Sequence, residues 1–132
     1  MRIMADTNVV ISAILKEGSV CDEVLNDICE NHELVLCDYI INESYSVVRR
    51  KFSTKIYVLD MLFAKLRYEL IPASKVGKVK VQDIKDQPIL NAAIEYGVDV
   101  LVSGDEHFLR LDIENPKILS PAEYRDTYLS RC

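Results

Sequence analysis

Short hydrophobic runs alternate along the chain with segments in which apolar and polar residues are mixed. Three of these runs lie at residues 2–5, 33–37 and 98–102, and each is followed by a polar residue. Runs of this length, rich in Val, Ile and Leu, predict strands that are buried on both faces. Residues 70–71 and 117–119 predict two further short strands by the same criterion.

The segments between these runs carry apolar residues three and four positions apart, which predicts amphipathic helices. Ser19 and Ser120 precede two of them as helix caps, and Gly97 ends a third. Helices are predicted to start after Asp6, after Ser19, at Asp38, near Thr54, at Asp86, at Glu106 and after Ser120, and the one near Thr54 is predicted to extend to about Tyr68. The alternation predicts an α/β fold of three α/β/α layers around a central, mostly parallel β-sheet.

Composition narrows the function classes. With 132 residues the chain has the length of a single domain, taken as residues 1–132. A net charge of -5 argues against a general nucleic-acid coat protein, although a nuclease needs only local basic patches. The four cysteines include no C-x-x-C pair, so no zinc or redox motif is predicted. Asp6 interrupts any signal-peptide hydrophobic region, and no apolar run is long enough for a membrane span. We therefore expect a cytoplasmic protein.

Four carboxylates occupy positions where ligands bind in parallel α/β sheets. Asp6 and Asp105 follow predicted strands, while Asp86 and Glu43 lie at or near helix starts. Two ionised carboxylates about 5 Å apart repel by roughly 3 kcal/mol at an effective dielectric near 20, so a cluster of four requires a cation or raised pKa values. Oxygen ligands without His or Cys favour Mg²⁺ or Mn²⁺, and such an ion beside a phosphate promotes phosphodiester hydrolysis.

Four segments together resemble the PIN-domain family. They are ADTNVVISAIL, INESYSVVRRKF, DIKDQPILNAAIEYGVDVLVSGDEHFLRL and ILSPAEY, and the resemblance extends over essentially the whole chain. More narrowly, the segments resemble the VapC-like toxin ribonucleases of toxin–antitoxin pairs. The resemblance implies a parallel sheet between helices, Mg²⁺- or Mn²⁺-dependent cleavage of RNA to 5′-phosphate and 3′-hydroxyl ends, an antitoxin partner and a homodimer.

The resemblance also implies site residues. Carried over by position, the catalytic and metal-binding carboxylates fall on Asp6, Glu43, Asp86 and Asp105, with Thr7, Asn8 and Ser103 as polar support. Asp83 is a further supporting candidate. One departure is His107, at a position where many relatives have a further Asp after the turn. This departure puts a second metal position in doubt, and we expect His107 to face solvent or cap a helix, although it is near enough to Asp105 to reach the site.

Each candidate also has an ordinary structural explanation. Asp6 and Asp86 are suited to cap the helices that follow them, Asp105 to stabilise a turn, and Glu43 to lie on a helix surface. Two basic groups are either solvated surfaces or contacts for RNA phosphates. They comprise Arg49, Arg50, Lys51 and Lys55 in the middle of the chain and Lys75, Lys78, Lys80 and Lys85 further on.

Three other functions compete with a toxin ribonuclease. A PIN-type nuclease acting on other RNA or on DNA would carry the same carboxylates. A catalytically silent module that binds nucleic acid or protein is disfavoured by the intact set of four. A small-molecule phosphatase is disfavoured because Asp6-Thr7-Asn8 lacks the D-x-D pairing of aspartyl phosphatases and no Gly-rich phosphate loop follows the first predicted strand.

Overall fold

The computed structural model describes residues 1–73 and 86–129 of the chain. The strands are β1 (Arg2–Ala5), β2 (Glu33–Cys37), β3 (Tyr68–Ile71), β4 (Val100–Val102) and β5 (Lys117–Leu119). The helices are α1 (Thr7–Leu15), α2 (Val20–Asn31), α3 (Asp38–Lys51), α4 (Ile56–Lys65), α5 (Gln87–Glu95), α6 (Glu106–Leu109) and α7 (Pro121–Tyr124). A 3-10 turn, Ser53–Lys55, precedes α4, and a π-helical segment, Arg125–Leu129, follows α7.

The five strands form one parallel sheet in the order β3-β2-β1-β4-β5. The chain builds the sheet outward from β1 to β2 and β3, and then crosses back to β4 and β5 on the other side. Because parallel crossovers are right-handed, these opposite directions put the connecting helices on opposite faces of the sheet. The fold class expected from the sequence is therefore confirmed, and the strand order reverses between β1 and β4.

The core is built from the central strands and the helices that cover them. Ile3, Met4 and Ala5 of β1 are fully buried, as expected for a strand with neighbours on both sides and helices above and below. On the helical side, α1 packs against α2, α3 and α4. Phe108 of α6 and Tyr124 of α7 are the two largest fully buried side chains. Burial of an aromatic or aliphatic side chain contributes about 1.5–3 kcal/mol, so α6 is firmly anchored despite its length.

Local capping signals set several helix ends as expected. The Ser19 hydroxyl accepts a hydrogen bond from the Asp22 amide at 3.3 Å, and Ser120 and Glu123 form a reciprocal capping box. Gly97 follows α5 with a φ of 67°, a left-handed conformation that favours glycine.

The predicted helix at residues 54–68 is shorter in the structure. Helix α4 ends at Lys65, and β3 begins at Tyr68 rather than at residue 70. Tyr68 pairs with Leu34 of β2, and the register continues to Ile71 opposite Cys37. Main-chain hydrogen bonding to a buried strand overrides the helical spacing of the apolar residues, because pairing in the sheet satisfies the same backbone groups.

Some sequence predictions fall on residues that the structure does not cover. Asp83 and the lysines at 75, 78, 80 and 85 (Lys75, Lys78, Lys80 and Lys85) lie outside the described residues. Within residues 1–73 and 86–129, no helix combines the length and the apolar character that crossing a membrane requires.

Candidate metal centre

Asp6 lies at the carboxyl end of β1 and begins α1. Its Oδ1 accepts hydrogen bonds from the amides of Asn8 at 3.0 Å and Val9 at 3.3 Å, so the expected helix cap is present. Its Oδ2 accepts a short hydrogen bond from the Ser103 hydroxyl. Burial raises the pKa of Asp6 to about 6, although these hydrogen bonds lower it, and the nearby charge of Asp105 adds to the increase. Asp6 thus caps α1 and is also a buried carboxylate whose charged form is disfavoured.

Ser103 connects the ends of the two strands that flank the reversal in strand order. It directly follows β4, it is fully buried, and its Oγ accepts a hydrogen bond from the Asp105 amide at 3.0 Å. The same hydroxyl donates to Asp6, so Asp6 and Asp105 are held on either side of one group. This edge of the sheet, where the strand order reverses, is where ligands bind in open α/β folds.

Asp105 caps α6 and in doing so meets His107. Its Oδ1 accepts a hydrogen bond from the His107 amide at 2.8 Å, and the His107 Nδ1 lies 3.3 Å from the same oxygen. Among the residues that the structure describes, Asp86, Asp105 and His107 form a group whose ligand atoms all lie within 4.8 Å of one another. Two carboxylates and one imidazole are therefore within reach of a single ion.

The expectation that Asp86 caps the next helix through its side chain is wrong. Asp86 precedes α5, but its side chain accepts no hydrogen bond from the first turn. Its backbone is helical, with φ −87° and ψ −11°, whereas a capping residue is extended. Pro88 also removes one of the amides that a cap would bind. The Asp86 carboxylate instead belongs to the group with Asp105 and His107.

Glu43 and Asp6 do not belong to that three-residue group. Glu43 is half-buried on α3, where it lines a shallow depression with Tyr39 and Arg50, while α3 packs against α5, the helix that Asp86 precedes. A ligand or water-positioning role for Glu43 stays a prediction. Asp6 is linked to Asp105 through Ser103 and not through a shared set of ligand atoms.

The supporting residues differ in exposure. Thr7 is buried, and its hydroxyl has no hydrogen-bond partner within the described ranges, whereas Asn8 is exposed. Arg49, Arg50 and Lys51 are exposed at the end of α3, and the Arg49 guanidinium lies 5.4 Å from the centre of the Tyr45 ring. These exposed cations are accessible to RNA phosphates, so the basic group is compatible with a solvated surface and with an RNA contact.

The residues present fit a divalent cation. The His107 Nδ1 is buried and makes no hydrogen bond within the described part of the chain, although it adjoins two carboxylates. Asp6, whose charge is disfavoured by burial, lies beside them. A cation would partner the nitrogen and offset the repulsion among the carboxylates.

His107 is the member of this group for which the sequence favoured a role outside the site. Its signal was its position, two residues after Asp105, where many members of the resembled family have an acidic residue. A histidine there was expected to face solvent or cap a helix, and its side chain is indeed 35% exposed. Its Nδ1, however, is buried against the carboxylates.

Comparisons with known proteins define the class. A sequence model of the PIN domain matches residues 2–107, so the chain belongs to the PIN domain family. Membership supports a nuclease in the general sense. The resemblance inferred from the four sequence segments is thereby confirmed. Among curated proteins compared by sequence, none matches the chain significantly.

Two solved structures share the fold over nearly the whole chain. One is VapBC2 from Rickettsia felis bound to a DNA fragment from its promoter, with a TM-score of 0.68 and 20% identity, covering 91% of this chain and 98% of that chain. The other is DNA-bound VapBC from Salmonella typhimurium, with a TM-score of 0.66 and 17% identity, covering 92% of this chain and 98% of that chain. At these identities the likeness establishes the fold.

Proposed function

We propose that the chain is a Mg²⁺- or Mn²⁺-dependent endoribonuclease and the toxin of a toxin–antitoxin pair. The observation that carries the proposal is the group formed by Asp86, Asp105 and His107, beside the buried Asp6, at the switch point of a PIN fold. Clustered carboxylates at this edge are suited to phosphodiester hydrolysis through a divalent ion.

Each side chain has a distinct task in this proposal. Asp86 and Asp105 hold the ion, which when bound polarises a phosphate oxygen and lowers the pKa of a bound water. Asp6 adds negative charge beside them, and Ser103 keeps Asp6 and Asp105 at a constant separation through its two hydrogen bonds. Glu43 would complete the site or orient the attacking water. The products would carry 5′-phosphate and 3′-hydroxyl ends.

Exposed cations on the helix that carries Glu43 support a nucleic-acid substrate. Arg49, Arg50 and Lys51 end α3, the helix that also carries Glu43 and packs against α5. Lys78, Lys80 and Lys85, outside the described residues, lie just before Asp86 in sequence. Contacts from these residues to RNA phosphates would make binding fall steeply with salt, because each contact releases a condensed counterion.

A protein partner is supported by the related structures and by the surface. The two solved structures described above are VapBC complexes by their descriptions. In this chain, Leu15 of α1 and Met61 of α4 are exposed apolar residues in a depression between α1, α2 and α4, which charged residues such as Asp22 and Lys65 also line. Such a mixed surface is suited to an amphipathic segment of an antitoxin or to a second copy of this chain.

The decisive experiment is cleavage of labelled RNA and DNA panels by the purified protein with Mg²⁺, Mn²⁺ or EDTA. Asp86→Asn tests the site without loss of a cap, and Asp112→Asn, at an exposed carboxylate, is the matched control. We expect metal-dependent cleavage of RNA by the wild type and by Asp112→Asn, with a loss of about 100-fold or more in Asp86→Asn. Cleavage of DNA alone would favour the alternative nuclease.

A folded wild-type protein that cleaves no substrate with either ion would contradict the proposal and favour a binding module. Equal cleavage by wild type and Asp86→Asn would indicate a contaminating nuclease or a different centre.

A further inference from the structure

His107 is fixed beside the two carboxylates by its own main chain. The amide of His107 donates to the Asp105 Oδ1, and the neighbouring Phe108 is fully buried, so the start of α6 has little freedom to turn. The His107 Nδ1 lies 3.3 Å from the Asp105 Oδ1. The main chain that carries the imidazole is therefore held at the centre, and the ring nitrogen lies within reach of both carboxylates.

A simple pairing of His107 with Asp105 does not account for this arrangement. The Nδ1 lies 3.3 Å from the carboxylate oxygen, but the two groups form no hydrogen bond, and the nitrogen has no hydrogen-bond partner among the described residues. A ring nitrogen that is buried, without a hydrogen bond and within 4.8 Å of ligand oxygens from two carboxylates has the disposition of a metal ligand.

A nitrogen ligand changes which ion the centre prefers. Mg²⁺ binds oxygen almost exclusively and depends on negative ligands and retained waters, whereas imidazole binds transition ions well. Replacing a carboxylate by a neutral imidazole also removes one negative charge, which weakens the attraction for Mg²⁺ without an offsetting gain. For Mn²⁺ the new metal–nitrogen bond offsets the lost charge.

We propose that His107 is a nitrogen ligand of this centre and makes it select Mn²⁺ over Mg²⁺. The inference rests on the proposed metal site, and it replaces the all-oxygen ligand set expected from the sequence. Asp86, Asp105 and His107 then form a mixed oxygen–nitrogen set in which the histidine decides the ion.

The test is direct observation of bound Mn²⁺ by electron paramagnetic resonance, without RNA. Pulsed measurements detect coupling to an imidazole ¹⁴N, and continuous-wave titration gives the Kd of Mn²⁺, with Mg²⁺ as competitor. The sequence has two histidines, and His32 comes just before β2, where its ring packs against Tyr128. His32→Gln is thus the matched control, and thermal unfolding in EDTA checks that each variant folds.

We expect one bound Mn²⁺ with ¹⁴N coupling in the wild type and in His32→Gln. In His107→Asp, which restores an all-oxygen set, the coupling disappears and the ratio of the Mg²⁺ Kd to the Mn²⁺ Kd falls roughly tenfold. Bound Mn²⁺ without ¹⁴N coupling in the wild type, coupling that survives in His107→Asp, or an unchanged ratio would each overturn the inference.

Cleavage assays on the same preparations separate this inference from the proposed function. Mn²⁺ bound with His107-dependent coupling, but without RNA cleavage, would overturn the ribonuclease and leave the ligand assignment intact. Metal-dependent RNA cleavage without the coupling would do the reverse, and a wild type that binds no Mn²⁺ would overturn the inference outright.

Discussion

Replacement of Asp6 by asparagine is expected to stabilise the metal-free protein while impairing its chemistry. Asp6 is 4% exposed, and burial raises its pKa to about 6 from an ordinary value of 3.8. This difference corresponds to about 3 kcal/mol of free energy that disfavours the charged carboxylate in the folded state above pH 6. A buried carboxylate at this position therefore destabilises the metal-free folded protein.

The sign of the pH dependence follows from the direction of the change in pKa. Between about pH 4 and pH 6 the folded protein binds the Asp6 proton more tightly than the unfolded chain does. The contribution of Asp6 to the free energy of unfolding therefore falls as pH rises through this window, and it is constant above it. A cation in the centre would restore part of this stability by binding only the folded state.

Asp6→Asn should retain the local structure. Asparagine caps helices as well as aspartate does, and its Oδ1 can still accept from the Asn8 and Val9 amides. Its amide group faces the Ser103 hydroxyl, which can accept a hydrogen bond. In EDTA at pH 8 we expect the free energy of unfolding to rise by up to about 3 kcal/mol, with a gain that shrinks toward pH 4.

Urea unfolding in EDTA between pH 4 and pH 8 measures this gain, and Asp112→Asn serves as the exposed control that should change little. A second arm adds Mn²⁺, which should stabilise the wild type more than Asp6→Asn. An Asp6→Asn variant that is less stable than wild type at pH 8, or a gain that is the same at every pH, would refute the assignment of the cost to a buried charge.

Three further predictions concern neighbouring groups. Ser103→Ala should lower the free energy of unfolding at pH 8 by about 1–3 kcal/mol in urea titrations, because the buried Asp6 carboxylate loses its hydroxyl donor. An equal loss at pH 4 would contradict the assignment of this cost to the charged carboxylate. Tyr124→Phe should lower the free energy of unfolding by about 1.5–3 kcal/mol in the same titrations, since the Tyr124 hydroxyl donates to the Asp27 carboxylate at 2.6 Å. An unchanged free energy of unfolding would show that water replaces this hydrogen bond. Glu43→Gln should reduce the rate of RNA cleavage by about 100-fold with unchanged thermal stability, and full activity would remove Glu43 from the site.

Local sequence patterns account for much of this protein. Apolar runs identified the positions of the strands, and Ser19, Ser120 and Gly97 marked helix ends, because these features act through neighbours a few residues away. Asp6 and Asp105 were also identifiable, since a polar residue within a few positions of the end of a buried strand lies at the ligand-binding edge wherever that strand sits in the sheet.

Tertiary structure decided the remaining features, each of which depends on groups distant in sequence. Pairing with β2 moved the start of β3 to Tyr68 against the helical pattern, and the strand order put Ser103 beside Asp6, 97 residues away. Burial then raised the pKa of Asp6, which no local motif encodes. The Asp86 carboxylate lies with Asp105 and His107 and does not cap α5, since the backbone of Asp86 is helical and Pro88 lacks one of the amides that a cap would bind. Spacing along the chain identified the carboxylates, but only the tertiary structure brought the His107 ring nitrogen within 4.8 Å of the oxygens of Asp86 and Asp105.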